Sequence, residues 1–280
     1  WDGTSYNDSD YYSSDPLIEN NIFDGYQIAI RFASFQNNAT IKNNHFERGW
    51  NGVGLWGWPE GGIAPSGHNI INNTINNTDY PIALDFTDYQ QSGKDIRITS
   101  NHITNTSGKG ISVWSFYKNF TIENNYIENA SIGIWMYDNS YGDLSNGIVA
   151  NNTLVNISYN GIDAYTSFTG NSIENLHVTN NFVHTIQGAG IVFNDVEEGY
   201  IANNTIQTNI SRESQLSGIY AYYIPQTVIQ NNTITSAVGI EVGGANDIPI
   251  PIKIIGNKLM VNDYGIISNR TYSEIKGNNV

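Results

Sequence analysis

The stretch FTIENNYIENASIGIWMYDN, residues 120–139, decides the fold. It places an apolar residue, a spacer, two asparagines, a spacer and a second apolar residue ahead of a Gly-Ile-x-Met run that ends in aromatic residues. The first half recurs as IENNIF at 18, IKNNHF at 41, IINNTI at 70, ITSNHI at 98, IENNYI at 122, VANNTL at 149, VTNNFV at 178, IANNTI at 201, IQNNTI at 229, IIGNKL at 254 and IKGNNV at 275. Aligned on the second Asn, the phrase marks Asn21, Asn44, Asn73, Asn101, Asn125, Asn152, Asn181, Asn204, Asn232, Asn257 and Asn278. Steps run from 21 residues (257 to 278) to 29 (44 to 73), as in coils carrying loops of variable length. The second half recurs too, as GVGLW at 52, GISVW at 110, GIWMY at 133, GIDAY at 161, GIVFN at 190, GIYAY at 218 and GIEV at 239.

Short period-two runs broken by Gly and Asn predict strands, and no segment carries a helical period. A fixed unit of this length is the mark of a repeat architecture. Three short Ile- and Val-rich strands per unit, each stacked on the next unit's equivalent, make a single-stranded parallel β-helix: an all-β solenoid of about eleven coils over residues 17–280. The Asn position is expected to serve a turn that tolerates left-handed backbone angles. An inward amide there would form a ladder, because it both donates and accepts. Residues 1–16, WDGTSYNDSDYYSSDP, lack the unit and are expected to cap the first coil, whose strand edges would otherwise be open. No cofactor is needed by this reading. The cap's Asp8, Asp10 and Asp15 offer calcium-type oxygen ligands, though a solvated acidic cap is the plainer account.

Bulk properties narrow the function. The chain has 280 residues, 39% apolar and only 14% charged, with 12 Lys and Arg against 26 Asp and Glu for a net charge of −14. That balance disfavours nucleic acid and anionic membranes as partners. There is no cysteine, hence neither disulfide nor thiolate metal site. No apolar run approaches the ~20 residues that span a bilayer. N-x-Ser/Thr triplets beginning at Asn38, Asn119, Asn129 and Asn269 suit an exported glycoprotein, and arise equally from abundant Asn and Thr. The chain opens on Trp1 and stops inside a repeat, as expected of a piece of a longer polypeptide with additional domains.

The Asn phrase followed by Gly-Ile-x-Val resembles the right-handed parallel β-helix repeats of pectate-lyase-like proteins, including the NosD-like group and many polysaccharide-cleaving enzymes, from about Leu17 to Val280. The resemblance implies a substrate lying on the sheet that corresponds to the Gly-Ile strands. NosD-like proteins are linked to copper, but here Cys is absent, Met is limited to Met136 and Met260, and His45, His68, His102, His177 and His184 show no ligand spacing. The Asn-rich, Cys-free style also resembles archaeal surface proteins and disaggregatases that loosen a cell-wall heteropolysaccharide. A secreted or cell-surface location follows from that resemblance.

Outward residues of stacked strands form columns. On the Gly-Ile strand one column is expected to read Ala29, Gly54, Ala83, Ser112, Trp135, Asp163, Val192, Tyr220, Glu241, Ile267. The next is expected to read Arg31, Trp56, Asp85, Trp114, Tyr137, Tyr165, Asn194, Tyr222, Gly243, Asn269. Loops at 57–67, 86–94, 138–146 and 166–175 would wall this strip. A row of exposed rings beside acids suits sugars, whose apolar faces stack on aromatic rings while hydroxyls meet polar groups; rings packed beneath the loops as satellite cores are the bland alternative. Candidate substrate-binding residues are Trp56, Trp114, Trp135, Tyr137, Tyr165, Tyr220, Tyr222, Arg31 and Lys109.

Glycosidic hydrolysis needs two carboxyl groups, roughly 5–9.5 Å apart. Asp163 is the best-centred acid. Asp138 and Asp195 are the candidate partners, with Asp143 and Glu174 behind them, and Asp85 with Asp88 and Glu60 forms an alternative centre. A lyase would instead use a base, Tyr137 or Tyr165, and cations or calcium to neutralise a uronate. Basic residues near the strip are few, Arg31 and Lys109, which favours hydrolysis. A non-catalytic adhesin or spike module is the competitor from another class.

Overall fold

The computed structural model describes residues 15–32, 37–55, 66–84, 93–115, 117–138, 144–167, 172–209, 216–244, 251–269 and 272–280. Of the expected cap, only Asp15 and Pro16 fall within these. Every strand among the described residues pairs in parallel, and no helix occurs. One sheet stacks eleven short strands, from Leu17–Glu19 through Thr121–Glu123 to Ser273–Lys276. The second, of 15 strands, holds the segment after each ladder Asn together with the Gly-Ile strands. Small pairings such as Ile173–Glu174 with Val196–Glu197 close a third side.

Each coil sends the middle residue of its strands inward, so the core is a set of columns. Ile41, Ile70, Ile98, Ile122, Val149, Val178, Ile201, Ile229 and Ile254 form one, all essentially inaccessible. Ile82, Ile111, Ile134, Ile162, Ile191, Ile219 and Ile240 form another under the Gly-Ile strands. Each such side chain contributes about 1.5–3 kcal/mol by leaving water.

The shaft makes about eight turns, fewer than the eleven coils expected. Toward the two ends of the stack Ile22, Met260, Tyr264, Ile275 and Val280 stay exposed, although Ile254, Asn257 and Leu259 of the tenth phrase are still buried.

The two asparagines of the phrase have separate tasks. The first takes the left-handed angle: Asn20, Asn43, Asn72, Asn124, Asn151, Asn180, Asn203 and Asn231 lie at φ between 53 and 60°, with Ser100, Gly256 and Gly277 in the same role. The second points inward and builds the ladder. The main-chain N–H and the side-chain Nδ2 of Asn125 both donate to Asn152 Oδ1 at 3.0 Å, Nδ2 donates also to Ile98 O at 2.9 Å, and the pattern repeats from Asn21 to Asn278.

The glycine of the Gly-Ile half has a steric cause. A Cβ on Gly133 would lie 2.5 Å from the carbonyl oxygen of Gly161, and one on Gly161 would lie 2.6 Å from that of Gly190. Successive coils approach too closely there for any side chain.

Candidate functional site

The strand Ile132–Asp138 points Ile134, Met136 and Asp138 inward, leaving Trp135 and Tyr137 on the outer face. Pairing with Lys109–Trp114 on one side and Ile162–Thr166 on the other puts Ser112, Trp135 and Asp163 in one column, and Trp114, Tyr137 and Tyr165 in the next. The first continues through Val192 and Tyr220 to Glu241, the second through Asn194 and Tyr222 to Gly243. The strip foreseen from the sequence is therefore one face.

Its first coil is shifted. Arg31, not Ala29, is in register with Gly54 and so heads the column of Ala83 and Trp135. The strands Ile22–Phe32 and His45–Leu55 keep the 23-residue offset of their ladder asparagines throughout (Asp24 to Glu47, Arg31 to Gly54), and the first coil has no Gly-Ile pair to reveal this. Arg31 is exposed at that end, far from Asp163. Trp56, Asp85, Asp88, Glu60 and Asp143 lie outside the described residues.

At the centre the rings touch. Trp135 and Tyr137 stack at 5.2 Å between centroids, Tyr137 and Tyr165 stand 4.8 Å apart, and Trp114 meets both Trp135 and Tyr137 edge-on at 5.4 Å. The Lys109 ammonium sits over the Trp135 ring, 2.9 Å from its centroid and 6.0 Å from that of Trp114. Ring-face attraction for a cation holds it there. Tyr137 Oη donates to Ser167 Oγ at 2.6 Å.

Asp163 is nearly covered by this cluster, at 8% exposure. Burial pushes its carboxyl above the usual carboxylate range, against the hydrogen bond from Asn160 and the charge of Lys109, which both favour ionisation. Asn160 Nδ2 donates to Asp163 Oδ2 at 2.9 Å, while Asn160 Oδ1 accepts from the Ala189 N–H at 3.0 Å. The carboxyl is thus held by an amide tied to the next coil. Burial also raises the Tyr165 phenol, reinforced by Tyr137 and Asp163.

The other acids are placed differently. Asp138 follows the inward alternation and is 1% exposed, in register with Thr166; it is not presented on the strip beside Asp163. Asp195 sits at the corner beyond Asn194 with φ 56°. Its N–H donates to Tyr222 O at 3.0 Å, and its carboxyl is raised by burial, opposed by a hydrogen bond from Thr166 and aided by Glu197. Glu174 is exposed in the third side and pairs with Glu197. Glu241 accepts from Ser217 Oγ at 2.8 Å. It stands three coils from Asp163, about 14 Å at the ~4.8 Å strand spacing.

Two site residues, Trp50 and Tyr80, escaped the sequence reading. With the expected Lys109 and Trp114 they enclose a cavity of about 240 Å³ floored by Ala83 and Ser112. Trp50 and Tyr80 meet edge-on at 5.7 Å. Tyr80 lies an odd three residues before Ala83, as Lys109 does before Ser112 in the register that aligns Ile82 with Ile111, so the period-two columns do not reach it. Further along, Tyr220 and Tyr222 lie parallel at 6.4 Å, and Tyr222 meets Tyr223 edge-on at 4.5 Å. Rings are not confined to the strip, since His102 stacks on Tyr126 at 4.8 Å on a different strand row.

This geometry can seat flat apolar faces on the half-buried rings of Trp114, Tyr137 and Tyr165, beside a carboxyl that burial raises; Trp135, expected as an exposed ring, is only 5% exposed because the cluster and Lys109 cover it. Residues 60–176 match the family described as right handed beta helix region. The chain is a right-handed parallel β-helix. Solved structures of similar fold include the Siphovirus 9NA tailspike receptor binding domain, at 15% identity and TM-score 0.63, covering 90% of this chain and 49% of that one. A double mutant of the periplasmic alginate epimerase AlgG aligns at 11% identity and TM-score 0.62, covering 95% and 75%. The catalytic unit of a GH87 alpha-1,3-glucanase from Streptomyces thermodiastaticus aligns at 14% and 0.55, covering 94% and 63%. This β-helix thus spans about half the length of the tailspike chain it matches. No curated protein sequence matches it.

Proposed function

We propose that this β-helix binds an extracellular or cell-wall polysaccharide along the aromatic strip and cleaves its glycosidic bonds by carboxylate acid/base hydrolysis. The observation that carries this reading is Asp163: a buried carboxyl, biased toward its protonated form, set among sugar-stacking rings. That is the state a general acid must hold before protonating a leaving glycosidic oxygen. Asp195, one coil on and three residues further along, is the proposed base that activates water. Its backbone is roughly 11 Å away at ~3.3 Å per residue and ~4.8 Å per strand, a gap that two inward-leaning side chains shorten toward the inverting range. The GH87 glucanase among the similar folds agrees with hydrolysis.

Lys109 favours a second reading. A cation over Trp135 on the strip that carries Tyr137 suits a lyase-type elimination, in which Lys109 neutralises a uronate carboxylate, a phenolate of Tyr137 takes the adjacent proton, and the bond from the neighbouring carbon to the glycosidic oxygen breaks as the double bond forms; the raised Tyr165 phenol is the less available base. The alginate epimerase fold is compatible with that chemistry.

One experiment separates the two. The protein is incubated with neutral, amino-sugar and uronate polysaccharides while reducing ends and the absorbance of unsaturated products are followed. Hydrolysis yields reducing ends without unsaturation and is abolished in Asp163→Asn. Unsaturated product selects the lyase, and full hydrolytic activity in Asp163→Asn refutes its assignment as the general acid.

A further inference from the structure

Among the described residues eleven large apolar side chains are exposed. Seven belong to the open end turns: Leu17, Ile22, Met260, Tyr264, Tyr272, Ile275 and Val280. Of the four on the shaft, Trp50 lines the cavity beside the strip and Ile148 stands on the eleven-stranded sheet. Tyr159 and Ile186, 56% and 38% exposed, converge on a single groove of about 440 Å³.

Stacking of one bend through successive coils forms this groove. The Ser131 N–H donates to Gly108 O, the Ser158 N–H to Ala130 O, the Tyr159 N–H to Ser131 O, and the Gln187 N–H to Ser158 O, all at 2.9–3.0 Å. Ala130 and Ser131 therefore lie directly beneath Ser158 and Tyr159, and their small side chains leave a notch. Tyr159 and Ile186 wall it on one side, Thr106 and Ser107 on the other. The backbone of the bend is already satisfied between coils. The hydroxyls of Ser131 and Ser158 bond to no other described residue, so they are available to a ligand.

We propose that this groove is a second carbohydrate site, separate from the strip, which takes one neutral sugar residue of a polysaccharide. An exposed phenol and an isoleucine offer a flat apolar wall, and serine hydroxyls with the Asn129 and Asn156 amides face it. A sugar ring presents the complementary pair, one apolar face and a rim of hydroxyls. Among the described residues no Lys, Arg, His, Asp or Glu side chain lines the groove, so an ionic ligand would find no counter-charge from them, and the protein's net charge of −14 further disfavours anions. The location gives the site a purpose. Tyr159 immediately precedes Asn160, which holds Asp163, so a chain or branch docked here runs past the corner leading to the strip. The site does not depend on Asp163 chemistry.

The test measures binding of neutral hexasaccharides of glucose, galactose, N-acetylglucosamine and N-acetylgalactosamine by titration calorimetry. Wild type is compared with Tyr159→Ala, Tyr159→Phe and Ser131→Trp, the last to fill the notch. The expected result is that at least one sugar binds, that Tyr159→Ala weakens it about tenfold or more, as loss of one stacked ring does, and that Ser131→Trp removes it. Tyr159→Phe, which keeps the ring, stays near wild type. Two outcomes overturn the proposal: no hexasaccharide binding more tightly than about 10 mM, or binding that Tyr159→Ala and Ser131→Trp both leave unchanged. Either can occur whether or not Asp163→Asn abolishes cleavage, so the groove and the catalytic reading fail independently.

Discussion

Replacing Asn152 by Ala should be among the most destabilising single changes in this molecule. Its Oδ1 accepts from Asn125 N and Asn125 Nδ2, both at 3.0 Å, and its Nδ2 donates to Ile122 O at 2.9 Å and Asn181 Oδ1 at 3.0 Å. Four hydrogen bonds vanish at a net ~1 kcal/mol each, and every stranded buried group adds ~1–3 kcal/mol of desolvation, most of which relaxation of the coils and entry of water recover. The stranded groups are the Asn125 N–H, one Asn125 Nδ2 proton and the Ile122 carbonyl. Asn181 Oδ1 keeps its bond from Asn152 N. The sum predicts a loss of about 4–6 kcal/mol. Two controls isolate the cause. Asn278→Ala removes three comparable bonds in a part-buried end turn, where water replaces them, and should cost about 1 kcal/mol. Asn151→Gly keeps the left-handed backbone at φ 56° and should change stability by less than ~1 kcal/mol. Urea unfolding followed by tryptophan fluorescence, with amide exchange at Asn125 as the local readout, measures all three. Equal losses in Asn152→Ala and Asn278→Ala, or a loss below about 1.5 kcal/mol in Asn152→Ala, would refute the ladder as a stabilising element.

Three further outcomes follow from the site and its scaffold. Gly161→Ala forces a Cβ to within 2.6 Å of the Gly190 carbonyl and against Val183, an overpacking that should cost about 3 kcal/mol in the same unfolding assay. Asp163→Asn should raise the melting temperature at pH 7 while abolishing cleavage. The folded pKa of Asp163 lies above its unfolded value, so its contribution to stability is fully present below the unfolded pKa and is lost as pH rises through the folded one; the two melting curves should converge near pH 3 and separate with increasing pH. Lys109→Met removes the charge that holds the Asp163 carboxyl down, and the basic limb of the pH–rate profile should move upward if protonated Asp163 is the working form.

The columns were legible because strand parity and the Gly-Ile pair together specify register. With a period of two, and with Gly133-Ile134 and Gly161-Ile162 marking equivalent places, the pairings Trp135 to Asp163 and Tyr137 to Tyr165 follow by counting, whereas the ladder offset from Asn125 to Asn152 is one residue shorter. Counting failed where no Gly-Ile pair anchored it, at Arg31. Counting was right where the candidate list was not: parity sends Asp138, the last residue of its strand, inward after the outward Tyr137. Asn160 was missed for another reason: its link to Asp163 runs three residues along one coil while its second bond reaches Ala189 on the next, and no periodic pattern encodes a corner. The adjacent asparagines of the repeat look interchangeable in sequence. Only backbone angles separate Asn124, which turns the chain, from Asn125, which holds the coils together.

A scaffold of this kind also restricts where a catalytic pair can stand. Neighbours in a column are ~4.8 Å apart and alternate residues along a strand ~6.6 Å apart, so carboxylate spacings of ~5–9.5 Å around Asp163 correspond to very few strand positions. In register these are Trp135, Val192, Tyr165, Tyr137 and Asn194, and none is acidic. A second carboxyl must therefore reach in from a corner or loop, and this is why Asp195, turned at φ 56° where the strip ends, outranks Glu241, which shares Asp163's column. The same arithmetic explains the lyase alternative, because the two phenols occupy the spacings that carboxylates would need. Asp195→Asn decides between them: loss of reducing-end production with wild-type binding identifies the base of a hydrolase, whereas unaffected turnover points to the phenols of Tyr137 and Tyr165, the strand-borne acid/base groups at these spacings among the described residues.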